Sequence, residues 1–375
     1  VKELMSEKAV TIRQQYALFH SLTLSLFFPL LMDTVLGIDL PTWWFLLIGA
    51  LISGYGILDG FDLGAGALHL FFRKEQSRRI ALNAIGPVWD GNEVWLVIGA
   101  GSLFAAFPLV YGTILSVFYL PFMLFLVAII FRGISIEFRS KEKMKWWHQL
   151  WDISYCVSST VISLLLGLVL GNLIQGIPLN ANHEFVGRLR DFFNPYAILI
   201  AVTVLSLFMM HGAMYLLMKT EDRLYAKLTI IANNTSKFFI LCFMATSMAT
   251  LIYVPHMTAI FKEYPELFAL GIAAVLIVLN IRRSIEKRQY RRGFISSSVT
   301  TALLLILFAM GLYPNLVLST IDPKGSISIY EAASSDGSLR TMLLFAAIGM
   351  PLVATYTVFM FWTFRGKVKL EEHSY

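Results

Sequence analysis

The sequence predicts an all-α, polytopic membrane helix bundle of about nine transmembrane helices, and three observations lead there. Of 375 residues, 57% are hydrophobic and 14% charged, with a mean hydropathy of +0.69, more apolar surface than a soluble domain can hide from water. The apolar residues fall in runs that approach or exceed the roughly 20 residues a helix needs to cross a bilayer, without the period-two alternation of barrel strands. Lysine and arginine concentrate in alternate loops, the signature of a multi-pass chain whose basic loops stay cytoplasmic.

Taken in order, the runs predict spans near 43–72, 81–108, 112–132, 153–175, 196–218, 237–255, 265–281, 296–314 and 341–364. Arg73, Lys74, Arg78 and Arg79 follow the first. Arg139, Lys141, Lys143 and Lys145 follow the third, Lys219, Arg223 and Lys227 the fifth, Arg282, Arg283 and Lys287 the seventh, and Arg365, Lys367 and Lys369 the ninth. Every odd span therefore ends on one basic side, which puts the C-terminus in the cytoplasm. Residues 1–36 form an amino-terminal appendage, since Ala17 to Met32 is apolar but short. A surface helix, a cleaved segment and upstream sequence from a misassigned start are the readings open for it. Residues 37–370 are the transmembrane domain, and 371–375 a cytoplasmic tail. The stretch 315–340, with Pro, Gly, Ser and Asp, reads as a surface loop.

The net charge of +6 sits between apolar runs and is accounted for by membrane topology, so no nucleic acid is implied. Cys156 and Cys242 lie inside apolar stretches and read as packing residues. No phosphate-binding loop, dinucleotide fingerprint, nucleophile elbow or zinc signature occurs, which leaves ATP hydrolysis, nicotinamide chemistry and proteolysis without residue-level support.

Ionisable residues inside spans carry the functional signal, because each is costly in hydrocarbon and faces a partner, a cavity or a proton path. In the first span, Gly56, Gly60 and Gly64 recur every four residues and allow another helix to approach closely. Asp59 and Asp62 flank that face, three apart and so adjacent on the helix surface; such a pair can hold and pass a proton. In the second span, Asp90 and Glu93 make another close acidic pair among Trp89, Asn92 and Trp95. Counted from the basic loop at roughly 1.5 Å per residue, Asp90 lies on the order of 15 Å deep, with Asp59 and Asp62 shallower. The two pairs suggest an inward proton route, with Arg132 and Glu137 as counter-charges or relays; helix–helix packing is the plainer role for the same carboxylates. His211 and His69 are the histidines within spans, but neither has a partner at a diagnostic haem-ligand spacing.

The segments DGFDLGAGALHLF, RRIALNAIGPVWDGNEVWL, FAAFPLVYG and FRGISIEFRSK, followed by Trp151-Asp152, GNLIQGIP from Gly171, NPY from Asn194 and HGAMYL from His211, resemble subunit II of the cytochrome bd family of quinol oxidases. The likeness spans roughly 37–370. It implies a heterodimer in the bacterial cytoplasmic (inner) membrane with a larger subunit I that holds haems b and d and the quinol, ubiquinone or menaquinone; this chain ligates no metal and carries no catalytic residue. It implies that the complex reduces dioxygen to water with protons drawn from the cytoplasm. It maps a proton path onto Asp90 and an oxygen route onto Trp95, and it leaves open small single-span subunits and a structural quinone. The sequence departs from the family at the appendage, at Gly133, where some members have proline, and at Glu93, where glutamine can stand, so the charge of Glu93 is not carried over. Two other readings of the same residues are a self-contained proton-coupled transporter and a purely structural assembly subunit.

Overall fold

The computed structural model describes residues 34–370; most of the appendage and the 371–375 tail lie outside them. A two-residue hairpin, β1 (Thr34–Val35) with β2 (Ile38–Asp39), leads into α1 (Leu40–Ala67). Asp39 starts that helix: its carboxylate accepts from the Thr42 backbone N–H at 2.8 Å, with Pro41 in the first turn, satisfying a donor the helix cannot pair itself. Then follow α2 (Glu75–Ile85), α3 (Trp89–Ala106), α4 (Pro108–Val117), α5 (Tyr119–Phe138), α6 (Lys145–Gln175), α7 (Pro195–Lys219) and α8 (Asp222–Tyr253). After the short α9 (His256–Glu263) come α10 (Phe268–Glu286), α11 (Tyr290–Leu312), a hairpin of β3 (Asn315–Val317) with β4 (Ile327–Ser328), the single turn α12 (Ile329–Ala332) and α13 (Asp336–Thr363).

Among the described residues, eight helices are long and apolar enough to cross a membrane, and nine if α3 and α4, bent by 118° at their junction, are taken as one crossing. The chain is an all-α membrane bundle. Two expected spans are drawn differently by the structure. The run 81–108 is not one helix: Pro87 lacks the N–H that would bond back to Asn83, so α2 stops at Ile85 and α3 starts at Trp89. What precedes the break is an amphipathic helix that buries Ala81, Leu82, Ala84 and Ile85. The third span does not begin at 112 either. Phe107, pushed out of helical geometry by Pro108, turns the chain, α4 runs off at the bend, and the crossing starts at Tyr119.

Helices α1 and α7 form the centre. Against α1 pack α3, α6, α7 and α11, and α7 also lies against α6, α8 and α11. The α1–α7 crossing is a small-residue seam. A Cβ at Gly64 would lie 1.7 Å from the Phe208 carbonyl oxygen, and one at Gly212 would lie 2.4 Å from the Ala65 nitrogen, so the two backbones touch where each lacks a side chain. Gly60 receives the Phe208 ring, whereas Gly56 faces Thr301 of α11. Around this seam Phe61, Leu63, Met214 and Tyr215 are fully enclosed, with Phe61 and Tyr215 stacked at 4.0 Å. The stretch 315–340 is an ordered cap: Val317, Ile327 and Ile329 are buried against the opposite end of the bundle from the basic loops. Cys156 and Cys242 are free thiols.

Candidate functional site

Three crossings bring their ionisable residues together. Asp59 and Arg132 are 0% and 1% exposed, and the guanidinium meets the carboxylate end-on: Nη1 donates to Oδ2 at 2.9 Å and Nη2 to Oδ1. Glu93 of α3 completes the group, its Oε2 3.9 Å from Arg132 Nη1. One turn along α1, Asp62 is equally buried, and its Oδ2 accepts from Asn92 Nδ2 at 2.7 Å. Asp59 and Asp62 thus face different partners, one a cation and one a neutral amide, which separates their electrostatic surroundings although they are three residues apart.

The cluster holds more polar capacity than it uses. Asp62 Oδ1, Arg132 Nε and Trp95 Nε1 are buried with no protein hydrogen-bond partner. Buried polar atoms in native proteins are paired to protein or to ordered water, so three such atoms within one cluster mark positions where water would bind. A small pocket of about 10 Å³ lined by Asn92 with Pro87, Gly91 and Tyr356 has room for a single water. Trp95 packs against α1, where a Cβ at Gly54 would be 2.3 Å from its ring.

The depth order differs from the sequence expectation. Because α3 begins only at Trp89, Asp90 stands in its first turn and is exposed. The pairing of Asn92 with Asp62, and of Glu93 and Asp59 with Arg132, places both α1 aspartates further from that helix end than Asp90 is. Among the four carboxylates of α1 and α3, Asp90 is therefore the outermost, not the deepest. Glu137 is half-buried on α5, five residues beyond Arg132.

A second buried hub lies at the same end of the bundle. Asp152, 0% exposed, accepts from His69 Nε2 at 2.5 Å, Arg78 Nη1 at 2.9 Å and Arg139 Nε at 2.6 Å. Arg139 also donates to both oxygens of Glu75, at 2.9 and 2.8 Å. This hub ties the ends of α1 and α5 to the starts of α2 and α6. Sequence reasoning misses it, because a hydropathy boundary at 153 leaves Asp152 in a loop, whereas α6 starts at Lys145. The signal available was an aspartate beside Trp151 facing two arginine-rich loops.

The buried histidines do not fit as haem ligands. His211 Nε2 donates to the Ile57 carbonyl at 2.9 Å, Nδ1 lies 2.6 Å from Ser297 Oγ, and the ring stacks on Phe294 at 4.6 Å. His69 spends Nε2 on Asp152 and is enclosed by Tyr155 and Phe72. Both nitrogens of His211 are engaged, whereas His69 Nδ1 has no protein partner but is buried in the packed interior.

Comparison with known proteins agrees with this architecture. The family model for cytochrome bd terminal oxidase subunit II matches residues 40–364. The cytochrome bd-I ubiquinol oxidase subunit 2 of Escherichia coli (strain K12) is 29% identical over 360 residues, covering 88% of this chain and 95% of that protein. The cytochrome bd ubiquinol oxidase subunit 2 of Bacillus subtilis (strain 168) is 31% identical over 332 residues, covering 88% and 97%. In fold, the chain matches the bd oxidase from Geobacillus thermodenitrificans with a TM-score of 0.70 at 16% identity, over 87% of this chain and 98% of that one. On the extent of the family match and of the relatives it aligns with end to end, this chain belongs to the cytochrome bd terminal oxidase subunit II family.

Proposed function

We propose that this chain is the non-haem subunit II of a quinol:oxygen oxidoreductase of the bd type in a bacterial cytoplasmic membrane, and that its buried acid–cation cluster carries protons toward the oxygen-reducing site of its partner. In this reading subunit I holds haems b and d, which supply electron transfer from quinol and oxygen reduction. Ubiquinone or menaquinone is the quinol, small single-span subunits can join, and the basic loops and C-terminus face the cytoplasm.

Within this chain the work is that of holding and moving protons. Asp90, outermost on α3, takes a proton from the basic side. Asp62 receives it through water at its unpaired Oδ1, while Asn92 fixes the other carboxylate oxygen. Arg132 is taken up by Asp59 through both carboxylate oxygens, and its unpaired Nε together with Glu93 continues the hydrated line. Trp95, lying against Gly54, borders the oxygen route. Glu137 sits beyond Arg132 as a further relay candidate.

The observation that carries this reading is Asp62: a carboxylate in the bundle interior with one oxygen held by a neutral amide and the other with no protein partner. A residue serving packing alone would pair both oxygens, as Asp59 and Asp152 do. The test is Asp62→Asn in the assembled complex. Quinol-driven oxygen consumption and proton uptake from the cytoplasmic side should both fall while the haem spectrum is retained. Unchanged uptake would remove the proton role; loss of the haems would make the residue structural.

A further inference from the structure

Beside the Asp152 hub, an open cleft of about 640 Å³ separates the end of α1 from the start of α6. Its volume lies in the range of small-molecule sites. Two carboxylates line it, Glu75 and Asp152, and both are already compensated: Asp152 by His69, Arg78 and Arg139, Glu75 by Arg139 through both oxygens. The remaining charge on the walls is Arg73 and Lys145, both exposed. Among the described residues no carboxylate lies within ion-pair distance of either, whereas the cleft's two carboxylates take up His69, Arg78, Arg139 and His148. The cleft thus presents uncompensated positive charge to whatever enters it.

Its position and apolar wall decide the class of anion. The cleft lies where two membrane-crossing helices end, Phe71 closing the first and Lys145 opening the other. Leu70 and Ile153 form its membrane-side wall. Ile153 continues along α6 into a stripe with Leu150 and Val157, exposed by 48%, 42% and 52% for Leu150, Ile153 and Val157. A molecule filling the site would place an anionic head between Arg73 and Lys145 and a hydrocarbon chain along that stripe. A free inorganic anion would leave the apolar wall uncovered.

We propose that this cleft is a binding site for one anionic phospholipid, its phosphodiester held by Arg73 and Lys145 and an acyl chain laid along Leu150, Ile153 and Val157. Basic pockets between helices on the cytoplasmic side of a membrane recognise anionic headgroups in this manner.

The test uses the intact oxidase complex, extracted in mild detergent, delipidated, and titrated with phosphatidylglycerol or phosphatidylcholine while bound lipids are counted by native mass spectrometry. Wild-type complex should hold one more phosphatidylglycerol than Arg73→Gln/Lys145→Gln, whose affinity at that step should be about 25-fold weaker, at roughly fivefold for each cation near the surface. Lys145→Gln alone, at an exposed side chain with no ion pair, should give about a fivefold shift and covers the case in which the double variant assembles poorly. Arg291→Gln, exposed in the first turn of α11 and outside the cleft's lining, should leave the count unchanged. Equal retention by wild type and variant, equal retention of phosphatidylcholine, an equal loss with Arg291→Gln, or displacement by millimolar inorganic phosphate would each overturn the proposal. The last outcome would identify a site for soluble anions.

Discussion

Arg132 on α5 and Asp59 on α1, 73 positions apart in sequence, meet as a bidentate pair inside the bundle, with side chains 1% and 0% exposed. Two charges removed from solvent hold together strongly once formed, but removing one leaves the other unpaired in the interior. Arg132→Ala and Asp59→Ala should each destabilise the complex by about 3–5 kcal/mol, and the double variant by clearly less than their sum. Thermal unfolding in detergent, arranged as a double-mutant cycle, measures this. Strict additivity would mean that the pair does not act as a unit.

The position of Asp90 in the first turn of α3 makes a ranking testable. An exposed carboxylate at the mouth of a route can be bypassed by water, whereas the buried Asp62 cannot. Asp62→Asn should slow quinol-driven oxygen consumption by about 10²-fold, the lower end of what a positioned proton donor contributes. Asp90→Asn should have a smaller effect, lessened further as the pH on the basic-loop side falls and protons become abundant there. An Asp90 variant slower than the Asp62 variant would reverse the order of the route.

The glycine seam gives a contrast within one helix. Gly64→Ala places a methyl 1.7 Å from a backbone carbonyl of α7, where no side chain can move aside. The helices must separate, and the loss should be about 3 kcal/mol or more. Gly56→Ala meets only side-chain methyls, that of Thr301 at 3.2 Å and one of Leu305 at 3.6 Å, and its effect should stay within about 1 kcal/mol, helped by alanine's better helix propensity. Unfolding temperatures of the two variants compare them directly.

His211 lies within the segment HGAMYL and has both ring nitrogens engaged. His211→Phe should cost about 1–3 kcal/mol by removing the side-chain donor to the Ile57 carbonyl and leaving Ser297 Oγ only its bond to the Phe294 carbonyl. The haem absorption spectrum of the complex should not change. A missing haem band would show that this residue is a ligand.

What was legible in the sequence follows the physics of each signal. The membrane class and the basic side read directly, because hydropathy and loop charge are properties of single segments. Gly60 and Gly64 are visible as a period-four stripe, but the seam's other half, Gly212, sits in a run that nothing local distinguishes. The Asp90 depth goes astray because the apolar run 81–108 continues through Pro87 without a change in hydropathy, so the helix is counted from too early a start. Arg132 with Asp59 is suggested as a counter-charge by composition, whereas its geometry needs the crossing of α1 and α5. Asp152 escapes because amphipathic first turns, such as Lys145 to Trp151, lower the mean hydropathy below that of a crossing while remaining helical.

The most direct test of the account is affinity purification of this chain, tagged at its C-terminus, from its own membranes, with an absorption spectrum, mass analysis and a quinol oxidase assay on what is recovered. The account predicts a larger haem-bearing partner in equal amount and oxygen consumption driven by quinol. A colourless chain recovered without a partner would contradict it.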